Sequence, residues 1–176
     1  MNNEKVMASE IADGETFVVA GIEFIKFPEK DGKFVAVAKK SLGDKIFDNN
    51  SNDFSKSSLL KYLEKDILPK IEAEVGAENV LEFETDLYSL DGHRKYGVMK
   101  SKISLPTFDF YRENRETFDK HNLNEWWWLS TPNGEKYYVV AVAPSGDVRN
   151  YYSYYREYGV RPVLLFSSSI FVSREA

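Results

Sequence analysis

The runs of β-branched and aromatic residues lie toward the two ends of the chain, and the one sustained helical period lies between them. That distribution argues against β-α-β winding and for an α+β fold with a mostly antiparallel sheet and two or three helices. Residues 16–27, "TFVVAGIEFIKF", read as strand, with alternation from Ile22 onward. "PEKDGK" follows with an Asp31-Gly32 hairpin signal, so residues 34–38 are expected as the partner strand. "GDKIFDNNSNDF", residues 43–54, is loop by composition. Across residues 55–76, Leu60, Leu63, Ile67, Ile71 and Val75 recur every three or four positions. Ser55 or Ser57 caps that helix and Gly76 ends it. Pro69 falls inside, which leaves one kinked helix and two short ones equally open. A short strand is expected over 80–83, a turn at Asp91-Gly92, and a helix over 108–120 capped by Thr107. Strands over 126–129, 137–143, 160–166 and 170–172 complete the chain. No linker or repeat interrupts it, so residues 1–176 form one domain.

The inventory for chemistry is thin. There is no cysteine, which removes disulfides, thiolate nucleophiles and cysteine-based zinc sites. The two histidines, His93 and His121, sit in polar surroundings and read as solvated. No nucleophile elbow, metalloprotease helix, phosphate loop or dinucleotide fingerprint occurs, so no cofactor and no metal are expected. A net charge of −5 without a basic patch speaks against nucleic acid. The start of the chain lacks a basic end and apolar run, and no segment approaches a membrane span, which predicts a cytoplasmic or particle-borne protein without a signal peptide. Asp48, Asn49, Asn50, Asn52 and Asp53 gather oxygen donors suited to calcium, but without EF-hand order; a polar turn of Asx residues is the simpler reading.

Two aromatic segments stand out. In "EWWWLSTP", a strand would point Trp126 and Trp128 one way and Trp127 the other, with Trp127 and Trp128 in the core and Trp126 partly exposed. In "NYYSYYREYGVRP", five of the eight residues from 151 to 158 are tyrosine. Two readings compete. Tyr151, Tyr154, Tyr155 and Tyr158 have the spacing of one buried helical face capped by Asn150. Alternatively the rings, with serine and asparagine between them, form an exposed recognition surface, because eight residues make a marginal helix. Arg161 is expected to play a structural part, its planar fork tied to a carboxylate or to backbone carbonyls.

The "WWLSTP" of Trp127 to Pro132, the "VAPSGDV" of Val142 to Val148 and the "GVRPVLLF" of Gly159 to Phe166 resemble one pattern. It is that of the bacterial and phage domain family of unknown function 6273. "AGIEFIKF", "KIFDNNSNDFSKSSLLKYLEKDIL" and "KISLPTFDFY" resemble its earlier segments more loosely. Ser130 departs from the arginine usual in the family. The resemblance implies a C-type-lectin-like fold, similar in outline to formylglycine-generating enzymes and to retroelement variable proteins. The first activity needs cysteines this chain lacks. The Glu-Pro-Asn, Gln-Pro-Asp and Trp-Asn-Asp motifs of calcium-dependent sugar binding are also missing. In the variable proteins, the segment before the closing strand is the recognition surface.

The expected function is therefore a non-enzymatic binding module, prophage- or phage-associated, that presents Tyr151, Tyr152, Tyr154, Tyr155, Arg156 and Tyr158, helped by Trp126, to a protein or glycan. The alternatives are a carbohydrate-active enzyme using paired acids, with Asp147 or Glu157 near the tyrosines, and a structural or host-interfering phage protein.

Overall fold

The computed structural model describes residues 4–174. In chain order the first half runs β1 (Lys5–Met7), β2 (Thr16–Val19), β3 (Ile22–Lys26), β4 (Lys33–Ala38), β5 (Asp44–Lys45), α1 (Ser58–Tyr62), α2 (Leu68–Val75) and β6 (Val80–Leu81). The second half runs β7 (Phe83–Asp86), β8 (Val98–Ser101), β9 (Ile103–Ser104), α3 (Phe108–Glu113), α4 (Arg115–Lys120), β10 (Trp127–Pro132), β11 (Tyr138–Val142), β12 (Val148–Tyr152), β13 (Tyr158–Gly159), β14 (Val163–Ser167) and β15 (Phe171–Ser173).

A large antiparallel sheet has the order β1-β15-β2-β3-β4-β14-β6, with β9 also pairing β14. A second has the order β12-β11-β10-β13-β5, in which β10 and β13 are parallel. β7 and β8 form a separate ribbon. The α+β, mostly antiparallel expectation therefore holds.

Three local corrections have plain causes. The strand expected over 16–27 is folded back on itself, because Ala20 (φ 53°) and Gly21 (φ 73°) take the left-handed pair of a tight hairpin turn. Asp31 and Gly32 do the same between β3 and β4, as foreseen. Pro69 stands in the first turn of α2 and leaves no gap in the helical run. It is absorbed by a π turn over Leu63–Ile67, where the Leu68 N–H reaches back to the Leu63 carbonyl. The helix expected over 108–120 is interrupted at Asn114 (φ −112°, ψ 27°), whose amide donates to the Phe110 carbonyl. Thr107 does cap it, accepting from the Phe110 N–H at 3.1 Å.

Two apolar clusters lie on opposite faces of the sheets. One joins Phe17, Phe24, Phe34 and Phe166 to Leu59, Leu63 and Ile71 of the α1–α2 run and to Trp128, Val139 and Ala141. The other joins Ile25, Phe27 and Val37 to Tyr111 and Phe118 of α3–α4 and to Trp127, Leu129, Val140 and Val142. The tryptophan alternation read from the sequence is thus realised, with Trp127 and Trp128 both buried on opposite faces.

The Gly-Val-Arg-Pro segment is where the chain leaves the second sheet for the first. The strand expected over 160–166 is really two, Tyr158–Gly159 and Val163–Ser167, and every residue from Tyr158 to Leu164 is buried. The Leu42 N–H donates to the Val160 carbonyl, and the Ala38 N–H to that of Pro162, both at 2.9 Å. These bonds hold the crossing from both sides.

Candidate functional site

The tyrosine segment is not a helix. Tyr151 and Tyr152 end β12, and residues 153–155 turn back toward β13. The reading of one buried helical face is therefore overturned: strand alternation, not helical spacing, sorts the rings. Tyr152, Tyr154 and Tyr155 are 38%, 44% and 66% exposed, and Arg156 is exposed beside them. Tyr151 is half-buried opposite Val139 and packs on the first apolar cluster. Tyr158 is only 8% exposed, which removes it from any contact surface. It begins β13, between β10 and β5, where a phenol must face the core. Trp126 is half-buried as expected, stacked on Tyr158 at 5.3 Å and edge-on to Tyr151 at 5.0 Å.

Two rings that the sequence reading left out adjoin the exposed group, Tyr137 exposed and Tyr138 half-buried. β11 brings Tyr138 opposite Tyr152, their centroids 4.4 Å apart, and Tyr137 meets Tyr154 edge-on at 5.7 Å. Tyr152 and Tyr154 are 5.6 Å apart. Lys136 lies over Tyr137 at 4.9 Å and Arg156 over Tyr155 at 5.3 Å. The available signal was the hairpin: Pro144-Ser145-Gly146 sets the register that pairs 138 with 152. The Tyr152 hydroxyl pushes the Tyr138 phenol up to about 12. Tyr158 is pushed up to about 12 as well, by burial first and by Tyr151 second.

Hydrogen bonds tie the hairpin end to the Asx-rich loop. Asn52, buried, donates its side-chain amide toward the carbonyls of Asn133 (3.0 Å), Glu135 (2.6 Å) and Tyr138 (2.9 Å), and accepts from the Tyr96 hydroxyl at 2.7 Å. Its backbone N–H donates to the Lys136 carbonyl. The Ser153 carbonyl accepts from the N–H groups of Phe47 and Asp48, while the Ser153 N–H donates to Tyr137. Asp48 receives the Asn50 and Ser58 N–H groups, and Asp53 the Ser55 N–H. These donor oxygens are turn and cap acceptors. No cluster of acids and histidines suited to a metal occurs among the described residues.

The other candidates fall into place. Asp147 is not near the tyrosines: it sits past the Val142–Val148 pair, at the opposite end of the hairpin from Tyr138–Tyr152, and accepts from Ser145. Glu157 is exposed and adjoins Arg156. No carboxylate pair across the rings is formed by these two residues. Ser89, Asp91 and His93 meet on one loop, but the Ser89 hydroxyl donates to Asp91 while His93 lies 3.7 Å from that carboxylate, so the imidazole cannot take the serine proton. His93 is largely exposed as expected, whereas His121 is a correction. It is half-buried, its Nε2 2.9 Å from the Gly14 carbonyl.

Arg161 is wholly buried with no ion-pair partner among the described residues. Its Nε donates to the Ala38 carbonyl at 2.8 Å, its Nη2 lies 3.5 Å from that of His121, and its guanidinium covers Trp127 at 4.7 Å. Burial lowers its pKa to about 10, which still leaves it charged at neutral pH. Backbone carbonyls and a ring face thus do what a carboxylate would otherwise do.

A cavity of about 250 Å³ lies beside the patch, walled by Lys136, Asn52, Tyr96 and His93, and no ring of the patch lines it. The patch is a surface and not a pocket. No helix among the described residues is long and apolar enough to cross a membrane.

A family model described as a domain of unknown function, DUF6273, matches residues 83–168, just under half of the chain. The matched stretch contains the triple tryptophan, the β11–β12 hairpin, the tyrosine turn and the Gly-Val-Arg-Pro crossing. The more loosely similar segments before residue 83 lie outside it. No curated protein and no solved structure matches the chain.

Proposed function

We propose that the protein is a non-enzymatic binding module whose contact surface is the tyrosine patch of Tyr137, Tyr138, Tyr152, Tyr154 and Tyr155, bordered by Lys136 and Arg156. One observation carries this reading: exposed and half-exposed phenols, four of them packed ring on ring, on a hairpin end hydrogen-bonded to Asn52 and to the Phe47–Asp48 segment. Tyrosine gives a large, amphipathic contact area with little rotamer freedom to lose. Because the rings lie open on the surface and line none of the larger cavities, a macromolecular surface suits them better than a small ligand that must be enclosed. A protein partner is therefore favoured over a glycan. A C-type-lectin-like scaffold and a prophage or phage setting, both implied by the family resemblance, belong to the same proposal. The closing strand β15 pairs with β1 and β2, an arrangement in keeping with such a scaffold.

The test is the triple variant Tyr152→Ala, Tyr154→Ala, Tyr155→Ala. It should keep its melting temperature within a few degrees of the parent and lose capture of a partner from host extract. A large fall in melting temperature would make the rings structural. A glycan array bound by the parent and not by the variant would move the reading to sugar.

A further inference from the structure

We infer that the partner is held by strand addition: an extended polypeptide segment pairs with the free edge of β12, centred on Asn150. This rests on the reading of the tyrosine patch as a contact surface and specifies how that surface is used.

β12 lies at the end of its sheet, with β11 on one side only. The hydrogen-bond phase of the hairpin shows which backbone groups face outward. The Ala143 N–H donates to the Asp147 carbonyl and the Ser153 N–H to that of Tyr137. Antiparallel pairs alternate between bonded and non-bonded, so Arg149 and Tyr151 face β11, while Val148, Asn150 and Tyr152 turn their N–H and C=O groups away. Two of those carbonyls are already engaged: Val148's accepts from the Arg149 side chain at 3.0 Å and Tyr152's from the Tyr155 N–H at 3.4 Å. The N–H groups of Val148, Asn150 and Tyr152, with the Asn150 carbonyl, have no partner among the described residues. The edge is thus rich in donors and calls for an occupant that brings carbonyls, as the backbone of an extended segment does.

Edges are usually blunted by shortness or charge, and the rest of the molecule follows that rule. β1, β5, β6 and β9 have two or three residues, and β7 and β8 carry exposed Glu84, Asp86 and Lys100. β12 has five residues, and its one charged side chain, Arg149, is folded onto its own strand and 3.5 Å from Asp147. Asn150 and Tyr152 share the face on which Tyr138 sits. An added strand would therefore lay alternate side chains against these rings while its backbone bonds the edge. A second copy fits less well, since antiparallel pairing through Asn150 would aim the Val148 and Tyr152 N–H groups at carbonyls already engaged.

The experiment selects binders from a displayed library of random linear peptides and compares three variants. Asn150→Pro deletes the central donor at a position where edge strands admit proline; it should weaken peptide binding about tenfold or more while leaving the melting temperature nearly unchanged. Asn150→Ala keeps the donor and should bind as the parent does. In the complex, amide exchange should slow at Val148, Asn150 and Tyr152, a readout that does not require Asn150→Pro to fold. Exchange unchanged at all three amides, peptides that bind Asn150→Pro as tightly as the parent, no enriched peptide, or concentration-dependent self-association through this edge would each overturn strand addition. If the triple tyrosine variant loses the peptides and Asn150→Pro does not, the patch stands and the edge falls. If neither matters, both fall.

Discussion

Tyr152 to Arg156 and Tyr158 to Leu164 are neighbours in sequence with opposite fates. In the first stretch Tyr152, Tyr154, Tyr155 and Arg156 are exposed; in the second every residue is buried, an arginine included. Both contain an arginine set over an aromatic ring, Arg156 over Tyr155 at 5.3 Å and Arg161 over Trp127 at 4.7 Å. The exposed pair is worth about 0.5–1 kcal/mol and the desolvated one about 2 or more. The difference lies in the backbone. Where a sheet edge ends in a turn, side chains are displayed; where the chain crosses between two sheets, both sheets close over it. One short segment therefore holds an exposed turn and a buried crossing in succession, and substitutions should separate the two.

The largest effect is expected at Arg161. Arg161→Ala leaves the Ala38 carbonyl buried without its donor and a void against Trp127, costing about 4 kcal/mol in urea unfolding. A loss under about 1 kcal/mol would erase the contrast with Arg156. Asn52→Ala takes the acceptor from the Tyr96 hydroxyl and the donor from the Asn133 carbonyl, while the Glu135 and Tyr138 carbonyls keep the N–H groups of Tyr138 and Asn133, and should cost about 3 kcal/mol. It should also speed amide exchange around Tyr137 and Ser153. Gly159→Ala would place a methyl 2.9 Å from Ser41 Oγ and 3.0 Å from the Trp126 carbonyl. Because that carbonyl also accepts the Gly159 N–H at 2.8 Å, it cannot move aside, and a loss of about 2 kcal/mol is expected.

A smaller effect follows from the two phenols pushed up to about 12. In the unfolded chain both ionise near 10. Between pH 10 and 12 the unfolded state releases protons that the native state keeps, so their contribution to stability, complete below pH 10, declines as pH rises. Tyr158→Phe should make that decline shallower, and tyrosinate absorbance in the parent should show late-titrating rings, one fewer in the variant. The smallest effect on stability belongs to the exposed rings. Tyr155→Ala should change it by less than about 0.5 kcal/mol, which is what sets it apart from Tyr158.

Much of this was legible. The tryptophan alternation, the Asp31-Gly32 turn, the Thr107 cap and a structural Arg161 all follow from local rules of period, turn chemistry and charge. What could not be read depends on pairing between distant segments. Tyr158 looks like its neighbours until β10 and β5 take it between them. Asn52 reads as one more turn residue until the β10–β11 loop folds over it. Pro69 forbids an ordinary helical turn, but only the flanking leucines, anchored in the core, select a π turn over a break. Tyr137 and Tyr138 join Tyr152 and Tyr154 only through hairpin register, which the turn residues imply but tyrosine density does not show.

The pairing of Lys5 with Ser173 has a mechanical consequence. The two extremities of the described chain emerge side by side on the edge of the large sheet, remote in connectivity from the β11–β12 hairpin. Tension applied between them would peel β1 from β15 one bond at a time, at low force, before any load reached the second sheet.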